Sequence, residues 1–295
     1  MKEQICGSMF LPISENRVVV LFLCIGIPLI LQAWWYIVAP GNDTKTRSKI
    51  DSCPLQKHTF TEQVIIYRQI EIGNALKRLY YLTGFVPEHI VDIGASQGFW
   101  SRQIHEIFPN ASFTLVEGNS DLLPALEDLH LGRVIHTLVA ETRKTVTYYK
   151  NHRAHTGNSI FREATPFFSD SNADTVNVTE HTQTIDDFCS HLQVDLLKLD
   201  IQGAEKLALQ GATKTLRNVH VLTLEMSLLP YNLGAPLAME VLSFLYNTGF
   251  EMIDVVEMHQ LGVQLNQIDF IFVNKNSCVW EEWIKQSNLE RQSDG

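Results

Sequence analysis

The chain has 295 residues, 45% hydrophobic and 19% charged, a composition that builds a folded core and excludes a predominantly disordered chain. Its formal net charge of −10 argues against a nucleic-acid surface as the main function, because phosphate binding needs clustered lysine and arginine. Five scattered cysteines (Cys6, Cys24, Cys53, Cys189 and Cys278) contain no C-x-x-C pair, so neither a zinc site nor a disulfide framework is indicated.

After an N-terminal tail of residues 1–17, residues 18–39 form an apolar run without a single charge. At about 1.5 Å per residue, a helix of that length crosses a hydrocarbon core of about 30 Å. Trp34, Trp35 and Tyr36 sit where an interfacial aromatic belt would lie. The run exceeds the roughly 7–15 apolar residues of a cleaved signal peptide. Pro40 also follows directly on Ala39, the only plausible small-residue cleavage site, so a retained single-pass anchor is expected. Lys45, Arg47, Lys49 and Lys57 after the span lean towards a cytoplasmic position for the folded domain. Asn42, Asn110 and Asn177 open glycosylation sequons that matter only in a lumen, so the side of the membrane stays open. Residues 40–60, punctuated by Gly41 and Pro54, read as a linker.

Residues 61–284 carry the folded domain. Ile65, Ile72, Leu76 and Leu79 mark one stripe of an amphipathic helix, ended by Gly84 and Pro87. Strands are predicted at 90–93, 112–116 and 133–139, with helices at 98–108 and 120–130. Two short strands at 145–149 and 176–183 flank a long irregular stretch from Asn151 to Asp174. The alternation resumes with strands at 194–200 and 219–225, helices at 204–216 and 236–247, and a closing strand pair at 250–256 and 268–273. The expectation is an α/β, Rossmann-like fold with a seven-stranded, mostly parallel sheet and helices on both faces. Residues 285–295 read as a polar, frayed tail.

The chemistry concentrates in three places. Ile90-Val91-Asp92-Ile93-Gly94-Ala95-Ser96-Gln97-Gly98 is a strand, a glycine turn and a helix start, which offers backbone N–H groups to a ligand. Gly94 supplies the positive φ of the turn, and Gly98 is expected to clear space where the ligand passes closest. Ser96 stands where a dinucleotide fingerprint would need its second glycine, which disfavours a nicotinamide-dependent oxidoreductase. The G-x-x-x-G spacing after Asp92 resembles motif I of the class I S-adenosylmethionine-dependent methyltransferases. Glu117 ends the second strand 25 positions after Asp92, where a carboxylate can accept both hydroxyls of a ribose. The third strand ends at Leu138-Val139-Ala140-Glu141, where an adenine edge would rest, with Ala140 as the expected contact.

In Leu196-Leu197-Lys198-Leu199-Asp200-Ile201-Gln202-Gly203-Ala204-Glu205, Lys198 and Asp200 share one face of an otherwise apolar strand. Charges there are costly unless paired or used, which makes Asp200 the first candidate base and Lys198 its partner. Glu225 is a second carboxylate on the same sheet edge. His152 and His155 lie in the irregular stretch and read as solvated loop histidines, so no metal is expected. Asn158 and Ser159 are candidate acceptor-pocket residues, and Phe161, Phe167 and Phe168 are expected to pack that stretch onto the sheet.

Taken together, VDIGASQGFWS, LVEGN and LLKLDIQGAE, with Thr184–Phe188 and Asp269–Val273, resemble the FkbM-type methyltransferase family over roughly residues 85–274. That resemblance implies S-adenosyl-L-methionine as cofactor and, usually, methylation of an oxygen. Carried over by position, it implies that Asp92, Gly94 and Gly98, with Ala95 in the same turn, hold the methionine part and Glu117 the ribose. The expected activity is membrane-tethered methylation of a hydroxyl on a glycan, glycolipid or related small molecule, with no nucleic-acid partner. Family members often carry Asn at Ser96 and Glu at Gln202. The missing acid at Gln202 motivates a second reading, a cofactor-binding module of the same fold without catalysis.

Overall fold

The computed structural model describes residues 71–164, 174–261 and 263–293, all within the unit Val64–Gly295. The expected tail, anchor and linker (1–17, 18–39 and 40–60), with Ile65, Phe167 and Phe168, lie outside the described residues. Among the described residues no helix is long and apolar enough to cross a membrane.

In chain order the strands are β1 (His89–Ile93), β2 (Ser112–Glu117), β3 (Gly132–His136), β4 (Leu138–Val139), β5 (Thr145–Asn151) and β6 (Thr175–Gln183). β7 (Leu196–Leu199), β8 (Val221–Ser227), β9 (Phe250–Leu261) and β10 (Gln264–Asn274) complete the set. The helices are α1 (Ile72–Thr83), α2 (Phe99–Ile107), α3 (Leu123–Glu127), α4 (Ile185–Cys189), α5 (Glu205–Gln210), α6 (Ala238–Asn247) and α7 (Cys278–Ser293). Seven strands form one sheet in the order β3-β2-β1-β7-β8-β10-β9. Only β10 runs against the others, pairing antiparallel with β8 on one side and β9 on the other. A second sheet, β4-β6-β5, lies outside the first.

Side-chain alternation sorts the sheet into two apolar layers. Val91, Ile93, Leu197, Leu199, Leu222 and Leu224 face one cluster, which also takes Ala208 and Leu209 of α5 and Val241 and Leu245 of α6. Ile90, Leu196, Val221, Ile271 and Val273 face the other, with Leu76 and Leu79 of α1 and Ile104 of α2. Each such Leu, Ile or Val that leaves water contributes roughly 1.5–3 kcal/mol, so coverage on both faces is what holds the parallel strands. The predicted stripe of α1 is the buried one, and Gly84 ends the helix at φ 73° with its N–H donated to the Tyr80 carbonyl.

Several boundaries differ from the periodicity reading. The single strand expected at 133–139 breaks at Thr137, because β3 stays in the main sheet while β4 pairs with β6. The helix expected at 120–130 is a 3-10 turn at Ser120–Leu122 followed by α3, with Pro124 in its first turn. The helix expected at 204–216 stops at Gln210, and a separate 3-10 turn covers Thr215–Arg217. The closing strands are longer than expected and form one hairpin, Phe250–Asn274. The boundary set at 284 falls inside α7, which is helical through Ser293. Val279, Trp280 and Trp283 in the first turns of that helix pack on the second apolar cluster.

Candidate active site

Two tight turns meet at the carboxyl edge of the sheet. After β1, Gly94, Ser96 and Gly98 adopt φ of 80°, 50° and 74°. After β7, Gln202 and Gly203 adopt φ of 52° and 98°. The left-handed region costs a residue with a Cβ roughly 1–2 kcal/mol, so Ser96 and Gln202 are held there by their partners. A Cβ on Gly94 would lie 1.9 Å from the Asp200 carbonyl oxygen, which means the two turns touch backbone to backbone. Gly98 plays a different part from the one expected. A Cβ there would meet Leu129 Cδ1 at 2.3 Å, so it makes room for a packed leucine and not for a ligand.

A cleft of about 490 Å³ opens above these turns, within the range of roughly 300–1,000 Å³ that holds small ligands. On the β2–β3 side it is lined by Gly94, Ser96, Val116, Glu117, Leu138 and Val139. On the β7–β8–β10 side it is lined by Asp200, Gln202, Glu225, His259, Asn266 and Gln267. Tyr148, His155, Asn158 and Ser159 close it from the second sheet and the turn after β5. Of the residues singled out from sequence, Gly94, Glu117, Asp200 and Glu225 line the cleft, as do Asn158 and Ser159. Asp92, Ala95, Gly98, Lys198 and Ala140 do not. Ala140 is fully buried and its N–H is taken by the Gln183 carbonyl, whereas the neighbouring Leu138 and Val139 line the cleft.

Glu117 is buried, and each carboxylate oxygen accepts one backbone N–H: Ser96 at 2.8 Å and Asn119 at 2.7 Å. Burial raises its carboxyl above the ordinary value, and those two bonds oppose the rise. They aim the carboxylate and leave lone pairs for a diol. Asp92 works inside the sheet. Its oxygens accept from Ser101 Oγ at 2.6 Å and Lys198 Nζ at 3.2 Å. Asp92 and Lys198 are register partners on β1 and β7, which is why the pair forms. Lys198 Nζ also reaches Asp200 at 3.4 Å and lies over the Trp100 ring at 5.6 Å. Burial alone would push Lys198 down, but Asp92 and Asp200 outweigh it and hold the ammonium above its ordinary value. Lys198 therefore orients Asp200 from behind and does not touch the cleft.

The residue that departs from the family pattern, Gln202, is the centre of a network. Its Nε2 donates to Asp200 Oδ1 at 2.9 Å and Glu225 Oε2 at 2.6 Å. Its Oε1 accepts from Tyr231 Oη at 3.0 Å and Gln267 Nε2 at 3.1 Å. Its own carbonyl accepts from Ser159 Oγ and Asn232 Nδ2, each at 2.7 Å. An amide can donate to two carboxylates at once, whereas an ionised glutamate cannot. The Glu205 carboxylate closes the same turn by accepting the Ile201 and Gly203 N–H groups, and burial pushes it up to about 7. Glu225 is raised well above its usual range by burial, then by Asp200 and Asp269.

This arrangement predicts the result of Gln202→Glu without any substrate. The new carboxylate sits between two others, so its folded-state pKa rises above its unfolded value. Its cost is then absent at low pH, where the group is protonated in both states, and appears as pH rises towards and through the folded value. The variant's deficit should be smallest near pH 3.5 and grow by roughly 1–3 kcal/mol by pH 8, measured by urea denaturation at both pH values. A constant difference between the two would refute the bridging role.

Sequence reasoning missed Tyr148, Tyr231, His259, Asn266 and Gln267 as cleft residues. The only local signal is the polar pair Asn266-Gln267, which interrupts an apolar strand. His155 does line the cleft, with Nδ1 3.5 Å from the Asn119 amide, whereas His152 stays half-exposed beside Asp121.

The sheet order with one reversed strand, the glycine turn and the cleft at the carboxyl edge define a methyltransferase-like α/β protein. The model of the methyltransferase FkbM domain matches residues 92–252, more than half of the chain, and the chain belongs to that S-adenosylmethionine-dependent methyltransferase family. Comparison with curated proteins gives no significant sequence match. Among solved structures, the chain is similar to an FkbM methyltransferase from Methylobacillus flagellatus at 16% identity and a TM-score of 0.40. That match covers 62% of this chain and 43% of the other, so this chain spans less than half the length of that relative. It is also similar to an S-adenosylmethionine-dependent methyltransferase from Clostridium acetobutylicum (9% identity, TM-score 0.40, covering 68% of this chain and 89% of that one). Aeropyrum pernix fibrillarin, solved with natively bound S-adenosyl-L-methionine, matches at 14% identity with a TM-score of 0.38, covering 67% of this chain and 74% of the other.

Proposed function

We propose that this chain is an S-adenosyl-L-methionine-dependent O-methyltransferase, tethered to a membrane by residues 18–39, that methylates a hydroxyl of a glycan, glycolipid or related metabolite. The observation that carries the reading is one cleft with an aimed ribose-type carboxylate, Glu117, on one side and a held carboxylate, Asp200, on the other. The donor set fits the cofactor: Glu117 for the ribose hydroxyls, Val116, Leu138 and Val139 as apolar walls for the base, and the Gly94–Ser96 backbone beside them.

When bound, S-adenosylmethionine supplies an electrophilic methyl group on a sulfonium sulfur. The chain's own residues then align the acceptor and handle its proton. Asp200 would take the proton of the acceptor hydroxyl as its oxygen attacks. Lys198 and Gln202 hold Asp200 from two directions, so the carboxylate faces the cleft in one orientation. Glu225 is the second carboxylate in reach, its carboxyl raised well above the usual range by burial and its acidic neighbours. The net charge of −10 and the acidic cleft speak for a hydroxylated small molecule or glycan over a nucleic acid.

Titration calorimetry of the full chain with S-adenosylhomocysteine should give saturable heat, and none from a folded sample ends the proposal. Asp200→Asn should keep that binding and lower turnover of hydroxylated acceptors by roughly 10²–10⁴-fold, followed by S-adenosylhomocysteine release. Equal loss of binding and turnover in a folded Asp200 variant contradicts the assignment of the base. Retained binding with no turnover of any hydroxylated acceptor by the native chain would favour the non-catalytic module.

A further inference from the structure

Glu225 on β8, His259 on β9 and Asp269 on β10 converge from three neighbouring strands, and one ligand-capable atom of each lies within 4.8 Å of the others. Strand register places Asp269 directly across from Glu225 and His259 across from Gln267. His259 Nε2 is 2.8 Å from Asp269 Oδ2 and 3.6 Å from Glu225 Oε1. The other Glu225 oxygen is already engaged by the Gln202 and Gln267 amides, so Oε1 is the one turned to the histidine.

Charge makes this cluster unusual. Glu225, Asp269 and the nearby Asp200 face one imidazole, while Lys198 is committed to Asp92 and Asp200. Carboxylates gathered out of water need a proton or a cation between them. An independent observation lies on the same wall. Asn266 is only 8% exposed and lines the cleft, yet its side-chain oxygen has no hydrogen-bond partner among the described residues. A buried neutral oxygen without a donor is itself a ligand-type group.

We infer that Glu225, His259 and Asp269 form a binding site for a divalent transition-metal cation at the edge of the cleft that Asn266 also lines. Two carboxylate oxygens and one imidazole nitrogen are a mixed hard and borderline donor set that suits Mn²⁺ or Zn²⁺. The imidazole must be neutral to ligate, so the ion competes with a proton for His259. A cation here would also polarise an acceptor hydroxyl, a consequence that rests on the methyl-transfer reading, whereas the binding itself does not.

The test is titration of chelator-treated full-length chain with Mn²⁺ alone, following free Mn²⁺ by electron paramagnetic resonance. One ion per chain is expected, with affinity reduced at least tenfold in His259→Ala and in Asp269→Asn. Glu240→Gln, which alters an exposed ion pair on α6, should leave affinity unchanged. The His259 side chain is 41% exposed, so its removal leaves the core intact, and it decides the matter if Asp269→Asn fails to fold. No saturable binding by the folded native chain, or undiminished binding in folded His259→Ala, overturns the site. S-adenosylhomocysteine binding on the same sample is read separately, so a missing ion would leave the proposed function standing.

Discussion

Gly94→Ala should unfold more readily than the native chain by about 3 kcal/mol or more and give no heat with S-adenosylhomocysteine. Two effects add. Holding a Cβ at φ 80° costs roughly 1–2 kcal/mol, and the new carbon would lie 1.9 Å from the Asp200 carbonyl oxygen. That oxygen is backbone at the end of β7, where Asp200 N–H is bonded to the Ile93 carbonyl, so it yields only if the sheet edge opens. Gly84 provides the control. It has a similar φ of 73° but nothing within 4 Å of where a Cβ would lie, so Gly84→Ala should show the conformational cost alone. Urea denaturation of both variants separates strain from collision. Equal losses would mean that the two turns do not depend on one another.

Asp92→Ala is the second large effect, and it follows from burial. The native pair leaves Lys198 Nζ between Asp92 and Asp200, and Ser101 Oγ donates to the other Asp92 oxygen. Removing the carboxylate leaves the buried ammonium with only the longer Asp200 contact and the Ser101 hydroxyl without its acceptor, which costs up to roughly 3–5 kcal/mol for a broken buried pair. Adding Lys198→Met should recover much of that loss, because the poorly compensated charge is then gone. A double variant no more stable than Asp92→Ala alone would argue against the pair. The cofactor should also bind more weakly to Asp92→Ala, through the displaced turn, since Asp92 itself does not line the cleft.

Both effects place the same demand on the fold. The glycine turn after β1 and the Lys198–Glu205 segment are not two separate motifs but two halves of one wall, joined by the Gly94–Asp200 approach and the Asp92–Lys198 pair. Gln202 extends that wall to Glu225. The departure from the family's usual acid is therefore accommodated by an amide that bonds both carboxylates.

The sequence alone was enough to place β1, β2 and β7, the glycine turn, Glu117 and the apolar stripe of α1. Each is encoded by near neighbours: alternation along a strand, helical spacing, and glycine where φ is positive. It also carried the family, through short segments that are each contiguous in the sequence. Tertiary structure alone decided which side chains share the cleft. Gln267 meets Gln202 across 65 positions, and His259 meets Asp269 only because β9 and β10 pair, with a register shift between Ile268 and Phe270. The same holds for the split of β3 from β4 and for α7, where Trp280 and Trp283 pack on the second apolar cluster. Local propensity fixes what an element is. Its partners follow from register and shared burial, which no short stretch of sequence contains, and in this protein those partners make up the β7–β8–β10 side of the cleft.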